Sequence, residues 1–395
     1  MSDGFDAATD AVLRGAASIV LADGADGADI VPGLLAAAGR LGDARVVVDW
    51  VPGARPWEAG LVGADALMGG YGVRAAIRDG RATYRRVRLS EVPDFLRTLP
   101  RPLVAVLRGA PAGDGFVTGG SVGWGPLAAA LADGVVVEVD AAGPLVRGVP
   151  IPGRVVGVVE GSATPVVPEW PEPDAADRVI ASHVMRVLPP EPTIQYGPGA
   201  LLDAIVRAVD RPVGVFSGLA TDAVADLAAD GRLRGPAVVG YLWGTARLHA
   251  LTHEGAVRLA PSDETHDGTR LAGIPQLVAL NTALQVGLDG AVNVERLGHD
   301  VVGGVGGHPD FSAGAHACPD GISLVVCRST YRDRSTVVPS PLVVTTPGAL
   351  VDVVVTEHGV ADLRGRSREE RARLLAEIAH PDHREALRKG EDPNG

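Results

Sequence analysis

Short apolar runs alternate with segments of helical periodicity along the chain. Valine-rich runs predict buried strands at 44–51, 103–109 and 134–140. Between them, the Ala- and Leu-rich segments 29–41 and 125–133 predict helices. Strands that are apolar throughout are typical of parallel sheets covered by helices on both faces. The pattern therefore predicts α/β architecture with a largely parallel sheet.

The same alternation continues in the second half of the chain. Strand, loop and helix follow one another in 193–209 and again in 213–231. Further strands are predicted at 237–244, 322–329, 342–348 and 352–359. A charged helix is predicted at 367–380, because Ser367 and Glu370 form the pattern of a capping box at its start.

A proline-rich break separates the two halves. Four prolines within 161–174 predict an extended linker. Asp174 is expected to cap the helix that follows, whose apolar residues recur at helical spacing. The boundary predicted here divides the chain into an N-terminal α/β domain, 1–175, and a C-terminal α/β domain, 176–395.

Composition narrows the class of protein. The chain has 395 residues, of which 46% are hydrophobic and only 4% aromatic, so two aliphatic cores are expected. The net charge of −12 argues against a nucleic-acid partner. Two cysteines imply no disulfide framework. The acidic N-terminus lacks the features of a signal peptide, and no apolar run approaches the roughly 20 residues of a membrane span. A cytoplasmic protein without a membrane partner is predicted.

A glycine-rich stretch, GGVGGHPDF at 303–311, is the first candidate for chemistry. Closely spaced glycines leave backbone N–H groups accessible, and such a nest can hold a phosphate or the oxyanion of a reacting carbonyl. A plain glycine-rich turn is the alternative. His308 follows the glycines and could act as an acid or base, or be an ordinary imidazole in a turn. The histidines show no metal-ligand spacing, so no metal is predicted.

Two further features raise questions about function. The stretch NTALQVGLDGAVNVE, 281–295, predicts a strand, an Asp-Gly turn and a second strand. Gln285 stands as a lone amide inside the first of these strands. Glu357 ends the valine-rich run of 352–359, and strand ends in parallel sheets face ligand crevices. A polar residue that simply ends a strand is the commoner case.

Several stretches resemble the acetyl-CoA hydrolase/transferase family, which includes 4-hydroxybutyrate CoA-transferases. GGVGGHPDF, VTTPGALVDVVVTEHGVADLRG and RARLLAEIAHPDHREAL resemble the C-terminal half of the family. TIQYGPGALLDAI, 193–205, resembles its Gln-x-Gly-x-Gly-Ala motif, and 73–93 resembles its N-terminal segment. The likeness covers roughly residues 60–390. It implies two open α/β domains with largely parallel sheets and an active site at the domain interface.

The resemblance also implies a reaction. In the family, a glutamate attacks an acyl-CoA thioester to give an anhydride, the CoA thiolate returns to form a glutamyl-CoA thioester, and a second carboxylate collects the CoA. Coenzyme A, as acyl-CoA, and a small carboxylate or other acceptor are therefore the expected partners of a homodimer or higher homo-oligomer. The backbone contacts to CoA or to an oxyanion fall on Gly304, Val305, Gly306, Gly307, Gly197 and Gly199. Arg74, Arg81 and Arg247 are candidates to meet the CoA phosphates, although a surface ion-pair residue is the commoner case for each.

The sequence departs from the family at the reacting centre. Gln285 stands where the family has its nucleophilic glutamate, and Gly287 replaces an aspartate two residues later. Gly218 replaces a second glutamate, and His308 replaces a glutamine after the glycine loop. A carboxamide is uncharged and cannot form the anhydride. If residue 285 remains glutamine in the finished protein, the two-step reaction through a glutamyl intermediate is closed.

Three interpretations follow. In the first, the protein is a CoA-dependent enzyme with altered chemistry, in which Gln285 donates to the thioester carbonyl beside the amides around Gly306 and Gly307, and His308 is the general base. It would then be an acyl-CoA hydrolase or acyltransferase. In the second, it is a non-catalytic acyl-CoA binder or partner subunit. In the third, the protein is a conventional carboxylate CoA-transferase, and Gln285 is either an engineered substitution or a residue that deamidates to glutamate.

Overall fold

A computed structural model describes residues 5–53, 55–140, 146–161 and 166–394. The chain forms two compact units. Unit 1 comprises Met1–Pro168, Val238–Thr265 and Val301–Gly306, and unit 2 comprises Glu169–Ala237, His266–Asp300 and Gly307–Gly395. The first four residues of the acidic N-terminus and residues 162–165 of the predicted linker lie outside the described residues. Residues 166–174 are neither helix nor strand.

The sheet of unit 1 is built from the first eight strands. They are β1 Ser18–Leu21, β2 Arg45–Val48, β3 Ala64–Ala66, β4 Ala82–Tyr84, β5 Leu103–Ala112, β6 Gly115–Thr118, β7 Gly134–Asp140 and β8 Val155–Gly161. Their order is β4-β3-β2-β1-β5-β7-β8, with β6 paired to β5. All neighbours are parallel except the β5–β6 hairpin. The predicted parallel α/β architecture is confirmed for this unit.

Burial on both faces explains the unbroken valine runs of this sheet. In β2, Val46 and Val48 pack into the hydrophobic core on one face, whereas Val47 packs into the core on the other. All three are at most 1% exposed. Because successive residues of a strand point to opposite faces, a strand covered on both sides needs apolar residues throughout.

The later strands show the same architecture. They are β9 Thr193–Tyr196, β10 Gly214–Ala220, β11 Ala237–Leu242, β12 Val257–Leu259, β13 Leu277–Thr282, β14 Gln285–Gly287, β15 Val292–Asn293, β16 Arg296–Leu297, β17 Asp300–Val301, β18 Ile322–Val326, β19 Thr330–Tyr331, β20 Arg334–Ser335, β21 Val337–Val338, β22 Val353–Thr356 and β23 Gly359–Asp362. In unit 2, the order across the main sheet is β10-β9-β13-β18-β22-β23. Only β23 is antiparallel to its neighbour among these pairs.

Helices connect most of the parallel strands. They are α1 Ala7–Gly15, α2 Ile30–Ala37, α3 Arg74–Arg78, α4 Val92–Arg97, α5 Gly125–Leu131, α6 Ala175–Val187, α7 Ala200–Arg207, α8 Asp222–Ala229, α9 Ala246–Glu254, α10 Ser262–Thr265, α11 Gly268–Ala272, α12 His308–Ala317, α13 Arg368–Ile378 and α14 Arg384–Arg388. Short 3-10 turns occupy Pro56–Gly60, Tyr71–Val73, Leu89–Glu91, Gly348–Leu350 and Pro381–His383. The predicted caps are present: Asp174 accepts from Asp177 N at the start of α6, and Ser367 forms a capping box with Glu370 at the start of α13.

Two sequence expectations need correction. Segment 342–348 is not a strand, because only Thr346 forms a bridge there, to Val292. Its apolar residues face outward, with Leu342 54% and Val344 46% exposed. The predicted hairpin of 281–295 is present, but its first strand is divided. Residues up to Thr282 belong to the parallel sheet, whereas Gln285–Gly287 pairs with β15 in a separate small sheet.

Candidate functional site

The strand order of unit 2 creates a switch point between β9 and β13. The strand that follows β9, β10, lies on one side of it, and β13 lies on the other. Where neighbouring connections leave a parallel sheet in opposite directions, a crevice opens at the carboxyl ends of the two strands, and ligands commonly bind there. The carboxyl ends of β9 and β13 lead directly to Gly197 and toward Gln285.

A buried pair of amides fixes the two strands at this point. Gln195 Nε2 donates to Asn281 Oδ1 at 3.3 Å, and Asn281 Nδ2 donates to Gln195 Oε1 at 3.2 Å. Both side chains are at most 5% exposed, so each satisfies the polar atoms of the other. Gly197 follows β9 and donates its amide to Leu280 O at 3.3 Å. A side chain on Gly197 would approach Asn281 Oδ1 to 3.5 Å, which is ordinary contact.

The backbone conformation at position 199 requires glycine. Its φ of 140° lies in the region that only glycine adopts readily, and it immediately precedes α7. No atom lies within 4 Å of the position that a Cβ of Gly199 would take. The backbone at Gly199, before this helix, is therefore open. The contact of Gly197 and Gly199 with CoA stays a prediction.

Gln285 begins β14 and is held by its side-chain oxygen. Oε1 accepts a hydrogen bond from Asn293 Nδ2 at 2.9 Å and a second from Leu342 N at 2.9 Å. Both partners are donors, so the oxygen and nitrogen of the Gln285 amide are unambiguously oriented. Among the described residues, Gln285 Nε2 has no hydrogen-bond partner. The side chain is half-buried, and its oxygen is the atom that lies in the cradle formed by Asn293 and Leu342.

The orientation of Asn293 is itself fixed. Its Oδ1 accepts from Glu295 N at 2.9 Å and Arg296 N at 3.0 Å, and its Nδ2 also donates to Arg296 O at 2.8 Å. Asn293 is fully buried. Beside it, the buried carboxylate of Glu295 accepts from Thr345 Oγ1 at 2.7 Å. The donor that holds residue 285 is thus part of a rigid polar network.

His308 is the first residue of α12, and it is buried rather than exposed in a turn. Its Nδ1 lies 2.7 Å from Thr346 Oγ1 and 3.5 Å from Ser312 Oγ. The side chain is 9% exposed, and Nε2 has no hydrogen-bond partner within the described residues. Burial lowers the pKa of His308 to about 4, although backbone groups of His308 and Thr282 act in the opposite direction. The imidazole is therefore neutral at pH 7.

The glycine-rich stretch divides between the two units. In unit 1, Gly304 lies against Met68, because a Cβ on Gly304 would come within 2.4 Å of Met68 Sδ. The amide of Val305 donates to Tyr84 Oη at 3.0 Å, and Gly306 pairs with Arg88 through a parallel bridge. These contacts tie Gly304, Val305 and Gly306 to unit 1. The Val305 amide in particular has an internal partner where we expected it to face a ligand.

Gly307 belongs to unit 2 and directly precedes α12. A Cβ on Gly307 would lie 2.4 Å from His266 Nε2 and 3.2 Å from Phe311. The His266 ring is buried, at 2% exposure, and its centroid is 4.7 Å from that of Phe311. A Cβ on Gly218 would also meet His266, at 3.5 Å. Glycine at 218 and 307 therefore borders one buried imidazole.

Sequence reasoning missed His266, Thr346 and the role of Asn293. His266 lies in a polar segment without a motif, and only the tertiary structure brings it beside Gly218 and Gly307. Thr346 lies in a segment that we expected to be a strand. The Asp-Gly turn was the signal that could have placed Asn293 opposite Gln285, since the register of a hairpin follows from its turn.

Unit 1 carries buried acids at the corresponding edge of its own sheet. Asp23 follows β1 and Asp49 follows β2. Tyr241 Oη donates to Asp23 at 2.7 Å, and Trp124 Nε1 donates to Asp49 at 2.6 Å. Burial raises the pKa of Asp49 to about 6 and that of Asp23 well above its usual range, with repulsion from Asp49 adding to the latter. Two carboxyl groups make this edge of the sheet unsuitable for a phosphate.

The remaining candidates occupy ordinary positions. Arg81 donates to Glu58 O at 2.7 Å, and Arg74 and Arg247 are exposed on α3 and α9. Glu357 accepts from the backbone and the hydroxyl of Ser329 at 2.9 and 2.6 Å, so it anchors a loop. No cluster of acidic, histidine or cysteine side chains in the described residues is arranged to hold a metal ion. Within the same residues, no helix is both long and apolar enough to cross a membrane.

The fold is that of an α/β protein with two largely parallel units, one of which gathers polar and glycine residues at a switch point, where such folds commonly bind small molecules. Comparison with known proteins then identifies the family. Residues 244–390 match the acetyl-CoA hydrolase/transferase C-terminal domain. The chain is 30% identical to butyryl-CoA:acetate CoA-transferase of Anaerostipes caccae, over 82% of this chain and 79% of that protein. The protein belongs to the acetyl-CoA hydrolase/transferase family of enzymes.

Two further similarities agree with this assignment. The 4-hydroxybutyrate coenzyme A transferase of Clostridium kluyveri is 29% identical over 82% of this chain and 80% of that protein. The crystal structure of RipA from Yersinia pestis superposes with a TM-score of 0.85, at 24% identity, over 96% of this chain and 95% of that chain. The second similarity supports the fold alone.

Proposed function

We propose that this protein acts on acyl-CoA thioesters without a covalent glutamyl intermediate. The observation that carries the proposal is the geometry of Gln285, whose oxygen is held by two donors and whose N–H group is left to donate. A primary amide in this state can hydrogen-bond to the thioester carbonyl but cannot attack it. Amide donors aimed at a carbonyl that becomes an oxyanion stabilise the transition state.

His308 supplies the second part of the proposal. A side chain that is nine-tenths buried with an unpartnered ring nitrogen carries a cost of about 1–3 kcal/mol unless a ligand satisfies it. The nitrogen lies at the start of α12, a ten-residue helix whose N-terminus favours negative charge. The imidazole is neutral at pH 7, so Nε2 is able to accept a proton when Nδ1–H donates to Thr346.

The proposed reaction is attack of water, or of another hydroxyl or amine acceptor, on the acyl carbon. The acceptor oxygen or nitrogen bonds to the carbonyl carbon as His308 Nε2 removes its proton. The carbon–sulfur bond then breaks, and the proton passes from His308 to the CoA thiolate. The protein would be an acyl-CoA hydrolase or acyltransferase, with coenzyme A as part of the substrate rather than a resident cofactor.

The first experiment is a turnover screen of short-chain acyl-CoAs, with and without carboxylate acceptors. We expect CoA release that does not require a carboxylate. We also expect His308→Gln to lower kcat by about 10²–10⁴, the usual contribution of a general base. The dependence of kcat/KM on pH should show an acidic limb near the pKa of about 4 of His308 and a plateau at neutral pH. Turnover unchanged in His308→Gln would contradict the proposed role.

Two other functions remain open, and separate observations distinguish them. Binding of CoA by calorimetry without turnover of any acyl-CoA would indicate a non-catalytic binder or partner subunit. Mass analysis of the peptide that contains Gln285 tests the conventional transferase, since an active preparation should then show glutamate at residue 285.

A cytoplasmic location and a homodimeric or larger assembly are also proposed. Light scattering measures the size of the assembly.

A further inference from the structure

An aromatic cluster in unit 1 reaches the surface at Tyr71. The Trp50 ring meets Tyr71, Tyr241 and Trp243 edge-on, with centroids 6.1, 5.6 and 5.0 Å away. Tyr71 also meets Trp243 edge-on at 5.8 Å. Three of these residues are buried, whereas Tyr71 is 45% exposed. The chain has only five each of Trp, Tyr and Phe, so a sizeable part of its aromatic content supports one exposed ring.

The backbone around Tyr71 is held in an unfavourable conformation. Its φ of 54° is in the left-handed region, which a bulky side chain rarely adopts. Glycines on both sides allow close backbone contacts: a Cβ on Gly69 would lie 2.5 Å from Gly303 O, and one on Gly72 would lie 2.5 Å from Gly53 O. Strain held in place by tight packing is typical of residues presented for a function.

Tyr71 lines a surface cavity of about 310 Å³ together with Glu58, Gly72, Arg74, Ala75 and Arg78. Arg74 and Arg78 are four residues apart on α3, so their guanidinium groups project from the same side of the helix. With Glu58, the cavity has a formal charge of +1 on a protein whose net charge is −12. Arg78 also forms an exposed ion pair with Asp79 at 3.2 Å, which a stronger anion could displace.

We infer that this cavity binds a nucleoside monophosphate. The exposed Tyr71 ring offers a stacking surface for the base, and such stacking is worth about 1–3 kcal/mol. Arg74 and Arg78 offer charge-assisted hydrogen bonds to the phosphate. The Glu58 carboxylate can accept from ribose hydroxyls. The cavity lies at the small end of ligand sites, which span about 300–1,000 Å³. The same chemistry occurs in a free nucleotide and in the nucleotide end of CoA.

Titration of the full-length protein with 5′-AMP, 3′-AMP, dephospho-CoA, CoA and inorganic phosphate tests this site. We expect nucleotide binding that Tyr71→Asn weakens about tenfold or more, since asparagine tolerates a positive φ but cannot stack. Arg78→Gln should weaken binding and reduce its dependence on salt. Tyr331→Asn, at another exposed tyrosine, and Arg97→Gln, at another exposed arginine, should leave the affinity unchanged.

Competition between AMP and CoA would identify the nucleotide end of CoA as the natural ligand, whereas simultaneous binding would identify a free nucleotide. Failure of every nucleotide to bind at millimolar concentration, or affinity unaffected by both Tyr71→Asn and Arg78→Gln, would overturn the inference. Acyl-CoA turnover is measured separately in the same variants, so failure of nucleotide binding at this site with turnover intact overturns the inference and leaves the proposed function standing. Circular dichroism and thermal unfolding of Tyr71→Asn establish that the variant is folded.

Discussion

The side-chain oxygen of Gln285 and the side-chain nitrogen of Asn293 are 2.9 Å apart across the β14–β15 pair. Together with Leu342 N, Asn293 forms a two-donor cradle for one oxygen at residue 285. A glutamate there could place one carboxylate oxygen in the same cradle and leave the other free. The scaffold therefore retains the means to hold a carboxylate at this position.

Gln285→Glu should create carboxylate-dependent CoA transfer. Since loss of a nucleophile can cost about 10⁶ in rate, we expect a gain of several orders of magnitude. Incubation with acyl-CoA should also yield a CoA adduct on the peptide that contains residue 285, measured by mass spectrometry. Asn293→Ala in the Gln285→Glu background should raise the pKa of the new carboxyl group and lower the rate. The absence of both transfer and adduct in a folded Gln285→Glu protein would contradict the cradle's proposed role.

Gln276→Glu is the matched control for that experiment. It makes the same amide-to-acid change immediately before β13, at the opposite end of the strand from the switch point. We expect no transfer and no CoA adduct in this variant.

Burial of His308 should make the stability of unit 2 fall in acid. The folded pKa of about 4 lies below the ordinary value of 6.5, so between these values the unfolded chain binds a proton that the folded protein does not. This contribution reduces stability as the pH falls from 6.5 to 4, by about 3 kcal/mol at most. His308→Gln should lose this dependence, as measured by denaturant unfolding at several pH values. The exposed His299 offers the control: His299→Gln should keep the wild-type slope.

Burial of Asp49 should make the stability of unit 1 fall as the pH rises, which is the opposite of the effect expected for His308. Its folded pKa of about 6 lies above the ordinary 3.8, so the folded protein keeps a proton that the unfolded chain loses, and stability falls as the pH rises through this range. Asp49→Asn keeps an oxygen for Trp124 and removes the titration. We expect it to stabilise the protein at pH 7 by up to about 3 kcal/mol and to have little effect near pH 4. An equal gain at both pH values, or a gain also in the exposed Asp94→Asn, would argue against this cause.

Gly307 should tolerate no side chain. The 2.4 Å approach of a Cβ to His266 Nε2 requires the buried ring to move, and such overpacking typically costs about 1–3 kcal/mol. Gly307→Ala should therefore lower the free energy of unfolding, and His266→Ala should partly relieve the effect in the double variant. Gly268→Ala is the control, since nothing lies within 4 Å of its Cβ position. Additive effects of Gly307→Ala and His266→Ala would exclude the steric explanation.

Local pattern was sufficient for much of the fold. The valine runs of β2, β5 and β7 predicted strands correctly because both faces of the sheet are buried. Asp174 and Ser367 predicted the starts of two helices because their side chains cap backbone N–H groups. The prediction of a strand at 342–348 was wrong because apolar residues alone do not show whether their side chains are buried in a core. Leu342 is exposed.

The sequence by itself determined the parallel α/β architecture, the family and the presence of an amide at residue 285. Those properties follow from residue order, periodicity and motif. The tertiary structure decided which atom of Gln285 is held, that His308 is buried with a lowered pKa, and that His266 borders Gly218 and Gly307. Hydrogen-bond direction, desolvation and steric clearance depend on atoms that are distant along the chain, so only the folded arrangement fixes them.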